Sequence, residues 1–292
     1  MGKIVRALSE DGGVLCSAIN STDMVRETAR VHEASPVVTA ALGRMTTAAS
    51  IMGGMLKYEG DTLTLRINGG GPCGTLTAVS DYRGNVKCCA GNAAAVVPAK
   101  ADGRLDVAGV IGNEGTLTVV KDMGLKEPYV GDTMLVTSEI AEDLTYYFAS
   151  SEQVPSSVGL GVLMERDNTV KCAGGFIIQM MPFATEETIA QIEENLKRVT
   201  SVTELLDKGF TPERILEELL GNVGLEITDT MLAKFTCNCS KERVEKAVAS
   251  IGRKDIREMI DEGKDIEVKC HFCNSAYNYT VEDLKRIIKR SR

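Results

Sequence analysis

Two short cysteine pairs stand near the end of the chain, Cys237-Asn238-Cys239 and Cys270-His271-Phe272-Cys273, with 30 residues between them. The second pair has the spacing of a zinc knuckle. Four soft thiolates supplied as two close pairs suit a tetrahedral ion with Zn–S distances of about 2.3 Å. One Zn2+ on Cys237, Cys239, Cys270 and Cys273 is therefore expected. Such an ion keeps all four sulfurs as thiolates, the form that attacks oxidants, and each sulfur has a neighbour close in sequence to resolve the attack. Oxidation of the local pairs would eject the metal. A ring closed across one residue, as between Cys237 and Cys239, would be strained and readily reduced again. A permanently reduced structural site would carry the same four residues. His271 could replace a ligand, but with four cysteines present its ring is expected beside the site.

The other five cysteines, Cys16, Cys73, Cys88, Cys89 and Cys172, have no histidine nearby in sequence and read as small buried hydrophobes. Cys88 and Cys89 would face opposite ways in a strand, which makes them a poor metal clamp. Asn68-Gly69-Gly70-Gly71-Pro72-Cys73-Gly74 lacks the Lys-Ser/Thr ending of a phosphate loop and has proline where a donating N–H would be needed, so it reads as a turn. No Ser-His-Asp order, HExxH or paired-carboxylate motif stands out. No catalytic residue and no enzyme activity are expected.

The chain has 292 residues, 43% hydrophobic and 25% charged, with a formal charge of -8. That composition excludes a disordered or fibrous chain and supports two domains, or one domain with an appendage. No apolar run reaches 18 residues, and Met1 to Asn20 lacks the pattern of a signal peptide, so no membrane association and a cytoplasmic location are expected. In a reducing compartment nine cysteines do not form a permanent disulfide framework, and an odd number cannot all pair in one chain.

Positioning the cysteine pairs falls to elements of three textures. Residues 1–183 mix β-like alternation with helical stretches. Thr62 to Ile67, Thr75 to Ser80, Asn85 to Cys89, Thr116 to Val120 and Val170 to Gln179 read as strands. Asp23 to Ala29, Val37 to Leu56 and Leu135 to Ser151 read as helices, the last with Ile140, Leu144 and Tyr147 on one face. The expected class is α+β: an N-terminal sheet-and-helix domain over 1–183, a helical linker over 184–233 and a small C-terminal zinc-binding domain over 234–292. Strand order cannot be read from these signals.

Charge separates the same three parts: net -5 over 1–183, net -7 over 184–233 and net +4 over 234–292. In the acidic middle, Ile189, Ile192, Leu196 and Val199 form a helical stripe. Thr211-Pro212 caps a second helix carrying Ile215, Leu216, Leu219 and Leu220. Short amphipathic helices are marginal alone and must bury one face. The pattern by itself favours a permanently packed connector over one that detaches. In the tail, Ser240 caps a helix with Val244, Ala247 and Val248. Ile256, Met259 and Ile260 mark another ending at Gly263, and Thr280-x-x-Asp283 resembles a capping box before Leu284, Ile287 and Ile288. Ile266 to Lys269 and Ala276 to Tyr279 could pair as a hairpin between them. A 59-residue tail with four aromatics (Phe235, Phe272, Tyr277, Tyr279) buries little surface. Structural zinc contributes roughly 10–16 kcal/mol in finger peptides, against about 5–15 kcal/mol of net stability for whole domains. Losing the metal should unfold this part.

The cysteine spacing at the end of a chain of this length resembles the redox-regulated 33-kilodalton heat-shock protein family of bacterial holdase chaperones. Ala29-Arg30-Val31-His32 through Ser35-Pro36, Leu42-Gly43-Arg44, the Asn68 to Gly74 loop, and Gly174-Gly175-Phe176-Ile177-Ile178-Gln179 followed by Met181-Pro182 fit as well. The likeness covers essentially the whole chain. The resemblance implies a protein inactive when reduced and zinc-bound. Peroxide with unfolding conditions, or hypochlorite, would form disulfides pairing Cys237 with Cys239 and Cys270 with Cys273. Loss of zinc, unfolding of tail and linker, homodimerisation and ATP-independent holding of unfolded or oxidatively damaged client proteins would follow. It shifts the linker reading towards a segment that detaches, whose acids keep it soluble while its aliphatic residues meet clients. From a different class, the +4 tail with Lys285-Arg286 and Lys289-Arg290 would suit a zinc-ribbon nucleic-acid binder, although a solvated helix face explains those residues more simply. A disulfide oxidoreductase using Cys270 and Cys273 lacks the surrounding βαβ pattern.

Overall fold

The structure is a computed structural model that describes residues 1–199 and 201–290, the side chain of Arg290 excepted. It divides into two compact units, Met1–Thr236 and a second from Cys237 onward. The first unit opens with a hairpin of β1 (Gly2–Leu8) and β2 (Val14–Asn20), then α1 (Thr22–His32) and α2 (Pro36–Gly54). β3 (Thr62–Asn68), β4 (Leu76–Asp81), β5 (Val86–Ala90), a short α3 (Val107–Ile111), β6 (Thr116–Asp122) and β7 (Tyr129–Met134) follow. α4 (Ala141–Tyr147) runs into a π-helical turn before β8 (Ser156–Met164) and β9 (Val170–Met180). Next come α5 (Glu186–Arg198), α6 (Val202–Asp207), α7 (Pro212–Leu220) and β10 (Glu226–Ala233).

These strands make two antiparallel five-stranded sheets, in the orders β10-β1-β2-β9-β8 and β5-β4-β3-β6-β7. α2 packs against strands of both, and all its residues but Pro36 and Arg44 are buried. A helix apolar all round is a core helix, and small residues let both sheets close on this one. A Cβ on Gly43 would stand 2.6 Å from Val162 Cγ2 of one sheet, and one on Gly53 would stand 2.2 Å from Ser80 Oγ of the other. The outer face of the first sheet carries the acidic helices: Ile192, Ile215, Leu216, Leu219 and Leu220 are fully buried with Val5, Cys16, Ala18 and Ile178 of the strands. The Asn195 side chain, also buried, donates to the Leu219 carbonyl at 2.9 Å and ties α5 to α7.

Three local differences from the sequence reading have physical causes. The helix expected over Leu135 to Ser151 begins only at Ala141. The buried Asp143 carboxylate accepts the backbone N–H groups of Val136, Thr137, Ser138 and Ile140, at 2.7 to 3.2 Å, and folds that stretch into a turn. β1 was not anticipated because it is buried on both faces, which removes the alternation that marks a half-exposed strand. The segment read as helical over 184–233 ends in a strand, β10, whose main chain, with Glu226 to Thr230 exposed, completes the β1 edge in place of a helix burying an apolar face.

The second unit holds α8 (Lys241–Ser250), α9 (Arg253–Asp261), a hairpin of β11 (Ile266–Lys269) and β12 (Ala276–Tyr279), and α10 (Val281–Arg290). Ser240 Oγ accepts the Arg243 N–H to cap α8. Thr280 and Asp283 form the reciprocal box: Asp283 N–H donates to Thr280 Oγ1 at 3.2 Å and Thr280 N–H to Asp283 Oδ2 at 3.1 Å. Among the described residues the fully packed core is five side chains: Val248, Ile256, Tyr279, Leu284 and Ile287. Among the described residues no helix is long and apolar enough to cross a membrane.

Candidate metal centre

Cys237 and Cys239 sit on the extended segment leading into α8, and Cys270 and Cys273 on the turn between β11 and β12. The turn is closed by backbone bonds from Cys273 N–H and Asn274 N–H to the Cys270 carbonyl (3.3 and 2.8 Å) and from Cys270 N–H to the Ser275 carbonyl (3.0 Å). Asn274 takes the left-handed conformation, φ 54°, that such a turn requires and that asparagine tolerates.

The four sulfurs all lie within 4.8 Å of one another, with Cys237 to Cys270 at 3.7 Å and Cys239 to Cys273 at 3.3 Å. Sulfurs about 2.3 Å from a central ion in a tetrahedron have edges of about 3.8 Å, so the donor set fits a four-thiolate metal. Nitrogen and oxygen donors surround it. The Tyr277 hydroxyl donates to Cys239 Sγ at 3.1 Å, and Ser275 Oγ lies 3.2 Å from Cys273 Sγ. Burial and the neighbouring thiols push the Cys237 thiol up, and burial does the same to Cys270. For Cys273 burial also opposes ionisation, but the Ser275 hydroxyl and N–H and the facing Cys239 bring it down to about 7. The hydrogen bond to Cys239 and the negative sulfurs around it raise the Tyr277 phenol to about 12, so it remains a donor.

His271 is exposed and no ring nitrogen joins the cluster. Ser275 and Tyr277 were missed as site residues; the available signal was their spacing of two where the chain leaves Cys273 and enters β12, which puts both on one side of an extended segment.

The other cysteines lie in the first unit, Cys16, Cys73, Cys88 and Cys172 buried and Cys89 half-buried. Burial raises the thiols of Cys16, Cys88 and Cys172, and that of Cys73 to about 11, so they are packing residues. His32 reaches Cys88, but through its carbonyl, 2.7 Å from Nε2; the thiol lies against Thr46 Oγ1 at 3.1 Å and Thr28 Oγ1 at 3.6 Å. The glycine loop is a turn: Gly71 N–H and Cys73 N–H donate to the carbonyls of Ile111 and Val110 at 2.8 and 3.1 Å, leaving no cradle for phosphate. Of the basic pairs on α10, Arg286 is held by Asp283, Lys285 and Lys289 are exposed, and the Arg290 side chain lies outside the described residues.

Comparison with known proteins gives one consistent set. The model of the Hsp33 protein family matches residues 2–280. The 33 kDa chaperonin of Lachnoclostridium phytofermentans is 58% identical, covering 99% of this chain and 98% of its own. That of Agathobacter rectalis is 51% identical over 97% of this chain and 98% of its own. The crystal structure of the 33 kDa chaperonin from Thermotoga maritima superposes with a TM-score of 0.90 at 35% identity, over 98% of this chain and 97% of that one.

Proposed function

The chain belongs to the Hsp33 family, and from that premise we propose that it is a chaperone of the 33 kDa chaperonin kind, an ATP-independent holdase switched on by oxidation. It is not an enzyme on this reading, it works in the cytoplasm, and its partners are unfolded or oxidatively damaged proteins. The observation that carries the switch is a four-thiol cluster of tetrahedral dimensions in a unit whose packed core, among the described residues, is five side chains.

In the reduced state Cys237, Cys239, Cys270 and Cys273 would hold one Zn2+, which keeps the sulfurs as thiolates and adds the free energy so small a core lacks. Tyr277 and the turn amides would orient the sulfurs. A peroxide or hypochlorite accepts the electrons. For each disulfide two thiolates lose two electrons, and one H2O2 with two protons becomes two waters. The pairs assigned by family likeness are Cys237 with Cys239 and Cys270 with Cys273, and together they withdraw all four ligands. The second unit then unfolds, the acidic helices lift from the first sheet, and the exposed aliphatic faces hold clients in a homodimer. The functional division is 1–183 as chaperone core, 184–233 as releasable linker and 234–292 as switch.

Light scattering from a heated model client tests this directly. Peroxide-treated protein should suppress aggregation and reduced, zinc-loaded protein should not; equal protection by both forms discards the redox switch.

A further inference from the structure

The chain between the acidic helices and Cys237 does something the switch has not used: it closes an edge of each sheet. β10 pairs antiparallel along the whole of β1, from Leu8 opposite Glu226 to Gly2 opposite Ala233. Two residues on, at Phe235, the same segment forms a parallel bridge to β5. Val86 N–H donates to the Lys234 carbonyl at 3.0 Å, Thr236 N–H to the Val86 carbonyl at 2.9 Å, and Lys234 N–H to Asn85 Oδ1 at 3.2 Å. The next residue is Cys237.

This strap is bound mainly through its backbone. Glu226 to Thr230 are all exposed, and Ile227 and Leu232 are 47% and 62% accessible. Only Ala233 is fully buried, with Met231 and Phe235 half-buried against the core between the sheets. A segment with so few buried apolar contacts opens at low free energy. What it covers is the reverse: Ile4, Val5 and Ala7 of β1 are completely buried, on both faces of the strand. An apolar strand with open N–H and C=O groups is a template for another extended chain.

We propose that the strap is an internal stand-in for a client, and that the β1 edge, continued by Val86, binds extended segments of non-native protein once the strap lifts. This deepens the holdase reading and rests on it. The chemistry of the occupant follows from the strap itself: an extended stretch with apolar side chains at alternate positions, as in Met231, Ala233 and Phe235, joined to β1 by a ladder of main-chain bonds. Main-chain pairing supplies affinity without demanding a sequence, and the alternate side chains select apolar segments. Because the strap ends where the first cysteine begins, its release would follow unfolding of the second unit.

The test uses the full chain and a fluorescent peptide with the sequence of residues 226–235, beside a scrambled peptide of the same composition. A covered site weakens apparent binding by the fraction of time it is open. Peroxide-treated protein should therefore bind the strap peptide roughly tenfold or more tighter than reduced, metal-loaded protein. The scrambled peptide should bind more weakly, and excess strap peptide should reduce client protection. Phe235→Asp should let the reduced chain bind the peptide while its four thiols stay metal-protected. Should that variant not fold, hydrogen exchange of β1 amides in the oxidised wild type decides: the peptide should restore their protection. Equal binding by reduced and oxidised forms, equal binding of the scrambled peptide, or β1 amides unaffected by peptide overturns the proposal. If oxidised protein protects clients but ignores the peptide, the edge site falls and the holdase stands. If it takes the peptide but protects nothing, the holdase reading falls alone.

Discussion

Gly161 of β8 and Gly174 of β9 face each other across the first sheet, and α6 fills the space where their side chains would be. A Cβ on Gly161 would stand 2.5 Å from Thr203 Cγ2, and one on Gly174 would stand 2.7 Å from Leu206 Cδ1. Beneath the same helix, Cys172 Sγ lies 3.6 Å from the Thr203 carbonyl. The acidic helical segment is thus seated on a notch of two glycines, with a buried thiol as its reporter.

Gly161→Ala should unseat α6 without touching the metal centre. Overpacking of this kind costs about 1–3 kcal/mol, enough to raise the open fraction of a short helix severalfold. Residue-resolved alkylation of the reduced, metal-loaded protein should show faster labelling of Cys172, and hydrogen exchange should show loss of protection over Val202 to Asp207. Unchanged rates at both would mean that the helix docks independently of the notch.

Tyr277→Phe removes the hydroxyl that donates to Cys239 Sγ while leaving the ring in the hairpin. Groups that orient metal ligands typically contribute 10- to 100-fold in affinity. Competition with a chromophoric chelator should show zinc held about tenfold or more less tightly, with the stability of the first unit unchanged. An affinity equal to wild type would show that the turn amides alone position the sulfurs.

Glu139 provides the pH test. It binds both Arg44 of α2, through Oε2, and Lys100, through Oε1, at 2.5 Å each. Its partial burial opposes ionisation, but these two partners outweigh that and hold its carboxyl below the ordinary 4.5. A carboxylate with a depressed folded-state value stabilises fully above its unfolded value, and the contribution fades as pH falls through the folded one. Glu139→Gln should therefore cost about 1–3 kcal/mol at neutral pH, and the difference from wild type should shrink below about pH 4.5 and vanish in stronger acid. Denaturant titrations at neutral and acid pH check this; a difference independent of pH would refute the assignment.

The candidate metal centre was legible because ligand chemistry is local: four cysteines at two spacings single it out before any fold is known. The helices of the acidic segment were legible for a related reason, since Thr211-Pro212 and the Ile215 to Leu220 stripe satisfy capping and periodicity within a single short helix. What stayed hidden depends on pairing. Whether β1 is buried on both faces, or β10 is a strand at all, is decided by partners more than 200 residues away, and neither carries an alternation of its own. Tyr277 likewise becomes a site residue only when β12 is folded back beside Cys239.

The last prediction concerns which sulfurs join. In the folded cluster, close contacts run between the pairs: Cys239 to Cys273 at 3.3 Å and Cys237 to Cys270 at 3.7 Å. Every pair must still close to about 2.05 Å to become a disulfide, so a difference of a few tenths of an ångström does not select partners. Chain length does. On the proposed switch, a first disulfide would remove two ligands, release the metal and open the small core. In an opened chain, closure across one or two intervening residues costs far less entropy than closure across about thirty. The ring from Cys237 to Cys239 carries strain, which lowers its stability to reduction without offering it a nearer partner. Non-reducing digestion and mass mapping of the peroxide-treated chain should therefore give Cys237–Cys239 and Cys270–Cys273. Recovery of Cys239–Cys273 and Cys237–Cys270 instead would mean that oxidation is completed while the unit is still folded, and would reverse the order in which disulfide formation and unfolding occur.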